Sequence, residues 1–233
     1  MLLAKKNILV TGGAKRVGAE IVRQLAQRGA NLIIHCNTSH AEAAALLAEL
    51  PHGDHKMIRA DLAVPGEAEK LYIASGKPDL IVNNASFYYH SGIYDRETSE
   101  KLFRINLHSP LALMEQLVQN HPVEGAVVNV LDQAILGKTE QNNAYLDSRR
   151  ELMESTLRFA KEYGKLALRF NAVCPGPMLP PAELPLSKME KTIATLPLRR
   201  RVEPADLAKA VIFLLECDSV TGAVLPVDCG QHL

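Results

Sequence analysis

The stretch Asn7–Gly18, NILVTGGAKRVG, constrains this chain more than any other. Ile8, Leu9 and Val10 run directly into Thr11-Gly12-Gly13, and a helix-compatible run, Ala19–Arg28, follows. The order reads as strand, tight turn, helix. Such a turn gathers unpaired backbone N–H groups and the positive end of a helix dipole at one place, which suits a pyrophosphate. Glycine is needed where the turn bends sharply and where backbone must approach a ligand or a neighbouring strand. The spacing here is Gly12-x-x-x-x-x-Gly18 rather than G-x-G-x-x-G, and Arg16 stands where the related T-G-x-x-x-G-x-G pattern has its middle glycine. A G-x-x-x-x-G-K-[ST] phosphate loop is excluded, because Gly18 is followed by Ala19-Glu20.

The rest of the chain repeats the unit. Strands are expected at Asn31–His35, Lys56–Ala60, Leu80–Asn83, Ala126–Leu131, Leu166–Val173 and Ala223–Val227. Helices are expected at Ala41–Leu50, Pro65–Ser75, Thr98–Asn120, Asn142–Tyr163 and Pro204–Glu216. Strands alternating with helices at this spacing imply βαβ units. The fold class is therefore α/β, a single-domain doubly wound parallel sheet, Rossmann-like, with helices on both faces. The 233 residues suffice for one domain, 1–233. The proline-rich stretch Pro175–Pro197, with Met178, Leu179, Leu184, Leu186 and Met189, reads as a substrate loop.

The charges balance, 26 basic against 26 acidic. That leaves no electrostatic footprint for nucleic acid or an anionic membrane. Met1–Asn7 has neither a long apolar core nor a small-residue cleavage site, and no run approaches the roughly 18 apolar residues of a membrane span. A cytoplasmic protein is expected. Cys36, Cys174, Cys217 and Cys229 lack C-x-x-C spacing. They read as small buried hydrophobes in a reducing compartment, and no metal site is expected. His52 and His55, in the loop PHGDH, read as solvated.

In an open parallel sheet, ligands lie outside the carboxyl ends of the strands, near the switch in strand order. That edge collects Gly12–Arg16, His35–Ser39, Asp61, Asn83–Tyr89, Asp132 and Pro175–Met178. At His35-Cys36-Asn37-Thr38-Ser39 no carboxylate is present to repel a ribose 2′-phosphate. Lys15, Arg16, Asn37, Thr38 and Ser39 supply cations and donors, so NADP(H) is favoured over NAD(H). Tyr145 and Arg149 are four apart in a helical segment, so both side chains meet one ligand. A nearby cation pulls the tyrosine pKa of about 10 toward neutrality and makes the phenol a proton donor.

In order, TGGAKRVG, Asp61-Leu62, Asn83-Asn84-Ala85, Asn106, Asp132, Tyr145-x-x-x-Arg149, Asn171–Gly176 and Val227-Asp228-Cys229-Gly230 resemble the short-chain dehydrogenase/reductase family over nearly the whole chain. Within it the chain is most similar to the pteridine and dihydromonapterin reductases. They share an A-K-R segment in the glycine loop, N-N-A-S followed by aromatics, and an aspartate at the usual serine position. The resemblance implies a cofactor site of Gly12, Lys15, Arg16, Val17, Gly18, His35, Asn37, Thr38, Ser39, Asp61, Leu62, Asn84, Ala85, Ser86, Tyr145, Arg149, Pro175, Gly176 and Met178. It implies that Arg16 and Ser86 contact both cofactor and pterin, and that Tyr88, or else Phe87, stacks on the pterin ring. Asp132 would bind the substrate or orient Tyr145, and Asn106 would hold water in a proton path. A homotetramer built through helices Thr98–Asn120 and Asn142–Tyr163 is likewise implied.

Three departures stand out: Arg149 replaces the family lysine, Thr38 replaces an arginine that holds the 2′-phosphate, and the helix Pro65–Ser75 is short. Arginine keeps the charge but cannot release a proton at working pH. Two other readings stay open: a reductase of an unrelated ketone or aldehyde, and a weakly active NADPH-binding regulatory protein.

Overall fold

All seven expected strands form, and they pair in parallel in the order β3-β2-β1-β4-β5-β6-β7. They are β1 (Asn7–Val10), β2 (Asn31–Cys36), β3 (Lys56–Arg59), β4 (Leu80–Asn83), β5 (Gly125–Val130), β6 (Leu168–Pro175) and β7 (Val224–Val227). The computed structural model describes residues 1–89, 95–120, 123–137, 143–178 and 186–233, without the side chains of 186–188.

Successive residues of a strand point to opposite faces, and the two cores divide accordingly. Ile8, Val10, Leu32, Ile34, Leu80 and Val82 lie under α1 (Arg16–Ala26), α2 (His40–Glu49) and α8 (Pro204–Glu216). Leu9, Ile33, Ile81 and Val127 lie under α3 (Glu67–Ala74), α4 (Arg96–Phe103), α5 (Ser109–Asn120) and α6 (Ala144–Tyr163). Each fully buried Ile, Leu or Val side chain contributes roughly 1.5–3 kcal/mol. The β1 register places Val10 opposite both Ile34 and Val82. The chain winds outward from β1 to β3 and returns to β4 on β1's other side, so the switch point lies between β1 and β4.

Four local expectations change. The helix expected from Thr98 starts at Arg96, where the Asp95 carboxylate accepts the Thr98 N–H at 2.7 Å. It is then interrupted by a π-helical segment, Arg104–His108. The strand expected from Leu166 starts at Leu168, because Gly164–Leu166 is a 3-10 turn and Ala167 takes a left-handed φ of 57°. The substrate loop carries a helix, α7 (Leu186–Thr195), while 179–185 lie outside the described residues. Asn142 also lies outside them, and α6 starts at Ala144 with Asn143 as its cap.

Two side-chain expectations also change. Cys36 and Cys174 are buried, but Cys217 and Cys229 are only partly covered. His55 is not simply solvated: its Nδ1 accepts the Leu32 N–H at 3.1 Å, and its Nε2 lies 2.9 Å from the Pro51 carbonyl. No described helix is long and apolar enough to cross a membrane.

Candidate active site

The turn after β1 is built around atoms that side chains would displace. Gly12 has φ +61°, and a Cβ there would sit 3.0 Å from Ala85 Cα. A Cβ on Gly18 would overlap the Gly12 carbonyl oxygen. Arg16 adopts φ +53° without being glycine. A non-glycine residue in that region costs on the order of 1–3 kcal/mol, and Lys5, Lys77, Ala167, Arg199 and Cys229 also adopt it, away from this cavity.

Neighbouring strand ends clamp the turn. Thr11 Oγ1 accepts the N–H groups of Asn84 and Ala85, both at 3.0 Å. Asn84 Nδ2 donates to the carbonyls of Thr11 (3.1 Å) and Gly12 (3.0 Å). His35 Nδ1 accepts the Gly12 N–H at 3.1 Å, and Gly13 N–H donates to the His35 carbonyl at 3.0 Å. Helix α1 then begins without a side-chain cap and without an acid in its first turn. Its first bond is Ala19 N–H to Lys15 O, so the N–H groups of Arg16, Val17 and Gly18 have no partner within the helix. Uncapped donors at the positive end of a helix fit a pyrophosphate.

Every cofactor-site residue expected from the sequence lines one cavity of about 870 Å³. Two of them serve differently than expected. The His35 ring is 2% exposed with both nitrogens engaged, so it supports the loop rather than meeting a ligand side-on. Lys15 is not a free cation: Glu42, from the first turn of α2, lies 3.3 Å from its Nζ. The segment His35–Ser39 does lack a carboxylate, but the fold delivers one from three residues further on. Arg16 and Thr38 are exposed on the same cavity.

At the far end, Asp132 follows β5 with Leu131 between them. Its Oδ1 accepts the Ala134 N–H at 2.9 Å and its Oδ2 accepts the Tyr145 hydroxyl at 3.0 Å. Tyr145 is 8% exposed. Burial pushes its phenol up to about 12, with the Asp132 carboxylate adding to the rise and Arg149 opposing it. The expected shift toward neutrality is therefore reversed: desolvation of the phenolate outweighs the neighbouring cation.

Arg149, 2% exposed, centres its guanidinium 5.3 Å from the Tyr145 ring centroid. Its Nη2 donates to Ser86 Oγ at 2.5 Å and Asn106 Oδ1 at 3.5 Å, and its Nε has no partner among the described residues. Asn106 sits in the π-helical segment. Its amide is closed on Phe87, accepting that N–H and donating to that carbonyl, both at 2.8 Å. The Asn106 side-chain amide thus fixes the loop after β4.

Tyr88 stands edge-on to Tyr145 at 4.9 Å and 84°, and Phe87 lines the cavity wall. Lys101 covers the Phe87 ring at 4.9 Å. Lys101, Ile105, Val130 and Leu131 also line the wall and were missed as site residues, whereas Met189 reaches it from the expected substrate loop. Lys101 and Ile105 are four apart and next to Asn106, a helical spacing that could have identified them. Thr11 was missed as a clamp.

The family described as enoyl-(acyl carrier protein) reductase matches residues 12–232. An uncharacterized oxidoreductase, YmfI, of Bacillus subtilis is 30% identical, over 97% of this chain and 99% of its own length. An L-rhamnose 1-dehydrogenase (NAD(P)(+)) of Azotobacter vinelandii is 31% identical, over 99% and 98%. Among solved structures, FolM alternative dihydrofolate reductase 1 from Brucella canis, complexed with NADP, superposes with a TM-score of 0.90 at 32% identity, covering 99% of this chain and 95% of that one. A blue fluorescent protein from a metagenomic library, in complex with NADPH, superposes with a TM-score of 0.88 at 29% identity, covering 99% of both.

Proposed function

This chain belongs to the short-chain dehydrogenase/reductase family of NAD(P)-dependent oxidoreductases, and from that premise we propose that it is an NADPH-dependent reductase of a pterin-like C=N bond with Tyr145 as proton donor. The observation that carries the reading is Tyr145 itself. Its buried hydroxyl lies 3.0 Å from Asp132 on the wall of the cavity that begins at the uncapped end of α1.

NADP(H), when bound, supplies the hydride. The glycine turn and the first N–H groups of α1 would hold its pyrophosphate, and Arg16, with Asn37, Thr38 and Ser39, would hold the 2′-phosphate. Tyr145 gives its proton to the nitrogen or oxygen beside the carbon that takes the hydride. A phenol is protonated at neutral pH, and burial only reinforces this, so Tyr145 starts in the state that proton donation needs. Arg149 cannot lose a proton, so it stabilises negative charge on Tyr145 without relaying protons. Asp132, which accepts the hydroxyl's hydrogen bond, orients the phenol, and the proton that Tyr145 gives up is replaced from solvent water.

A pterin is favoured by the Phe87 ring on the cavity wall, whereas Tyr88, the residue first expected to stack, is turned edge-on to Tyr145 and is not among the residues that line the cavity. A pterin is favoured also by the likeness to a FolM protein that is titled an alternative dihydrofolate reductase. Carbonyl reduction is the second reading, favoured by the sugar-acting names among the relatives. Following NADPH absorbance with dihydrobiopterin, dihydrofolate, dihydromonapterin and simple ketones or aldehydes separates the two. The proposal expects faster turnover with a dihydropterin, and a carbonyl compound as the best substrate would overturn it. NADPH should bind more tightly than NADH by roughly one decade, the yield of one charge-assisted contact of about 1.5 kcal/mol.

A further inference from the structure

His35 lies near the C-terminal end of β2, buried between two backbone groups. Its Nδ1 accepts the N–H of Gly12, and its Nε2 lies 3.1 Å from the carbonyl of Ala60, just past β3. A carbonyl can only accept, and an N–H can only donate. The two contacts therefore require one ring state, neutral with its hydrogen on Nε2. The Gly12 carbonyl, two bonds from the held N–H, in turn accepts from Asn84, and its oxygen is the atom against which Gly18 packs. A single imidazole thus spans β3, β2 and the turn that opens α1.

We propose that His35 is a positioning residue for the dinucleotide: the neutral ring holds the glycine turn in its binding conformation, and protonation releases it, so that cofactor affinity depends on one proton at this ring. The proposal rests on the NADP(H) reading above. Protonation would turn Nδ1 into a donor facing the Gly12 N–H, and would place a cation in a site 2% exposed. Among the described residues, the charged group acting on the ring is the Asp61 carboxylate, which favours the cation, while burial opposes it more strongly and holds the ring below its ordinary value of 6.5. The sign follows. The neutral ring is complete at pH 7 and above, and the turn loosens only as pH falls below about 6.5.

Calorimetric titration with NADP⁺, which survives acid, tests this between pH 5.5 and 8 in the parent, His35→Asn and His35→Leu. The 2′-phosphate itself titrates near pH 6 and affects all three alike. Asparagine offers an uncharged acceptor in place of Nδ1, so His35→Asn should bind within about threefold of the parent at pH 7.5. His35→Leu should bind about tenfold more weakly at every pH, the effect of losing roughly one hydrogen bond. Through the pH interval in which nitrogen NMR shows the parent's free ring gaining its proton, the parent's Kd should rise more steeply than that of His35→Asn, within the limit of about tenfold per pH unit for one proton. Nitrogen NMR of the parent ring should show the Nε2–H tautomer, still neutral at pH 6.5.

Equal pH slopes in the parent and His35→Asn, or an Nδ1–H ring, would overturn the role of His35 while leaving NADP⁺ binding intact. No NADP⁺ binding by the parent at pH 7.5 would overturn the cofactor reading itself, and this proposal with it.

Discussion

Tyr145 is bonded to a carboxylate and faced by a guanidinium, and burial decides the balance between them. Tyr145→Phe removes the transferable proton and should cost about 10²–10⁴-fold in kcat while leaving the NADPH Kd nearly unchanged, read by single-turnover absorbance and by titration. A phenol pushed up to about 12 loses its proton only at strongly alkaline pH. Tyr145 should therefore add no alkaline fall to the rate of reduction below about pH 10. Arg149→Ala should weaken both cofactor binding and turnover, since it removes the charge and strips Ser86 and Asn106 of a donor. Arg149→Lys restores the charge and should retain turnover or raise it. A dead lysine variant would show that the planar fork, not the charge, is required. Glu42→Gln should tighten NADPH binding by up to about fivefold by freeing Lys15, because an exposed ion pair of this kind contributes only about 0–1 kcal/mol to the fold. An unchanged NADPH Kd would place Lys15 outside the phosphate contacts.

The elements that carry these residues are joined below the cavity by a buried amide chain. Asn83 on β4 donates to Asn129 on β5 at 2.8 Å, and Asn129 donates to Thr156 on α6 at 2.8 Å. The three elements lead respectively to Asn84, Asp132 and Tyr145. Asn129→Leu would leave Asn83 Nδ2 and the Thr156 hydroxyl each short of a buried partner. It should cost about 2–3 kcal/mol, measured as a lower denaturation midpoint in urea with an unchanged slope. A shift of less than 0.5 kcal/mol would mean that the chain relaxes to satisfy both groups. The π-helical segment Arg104–His108 acts at the same scale. Asn106 bonds both backbone groups of Phe87 from within it and so holds the aromatic wall of the cavity.

For the whole molecule we propose a homotetramer built through the helical run that ends at Asn120 and through α6, where Leu157 stays 41% exposed. Sedimentation should return four times the 25.5 kDa protomer, and a monomer at micromolar concentration would refute it. The parallel α/β sheet and the order of its units were legible in the chain itself, and the residues that the family resemblance implied for the cofactor line one cavity. Strand periodicity, glycine spacing and polar residues at strand ends are local signals, and the switch-point rule brings those ends together. What the chain alone could not settle was which contacts win once its parts meet. Glu42 reaches Lys15 only because α2 folds back over the turn, and His35 becomes a clamp only because Gly12 and Ala60 flank its ring. Asn106 is turned onto Phe87 from a π-helical segment that helical periodicity does not reveal. The Tyr145 phenol was expected to move toward neutrality because a cation four residues away is visible in the sequence, whereas burial is not. Desolvation depends on what surrounds a group in space, and only the tertiary structure supplies that.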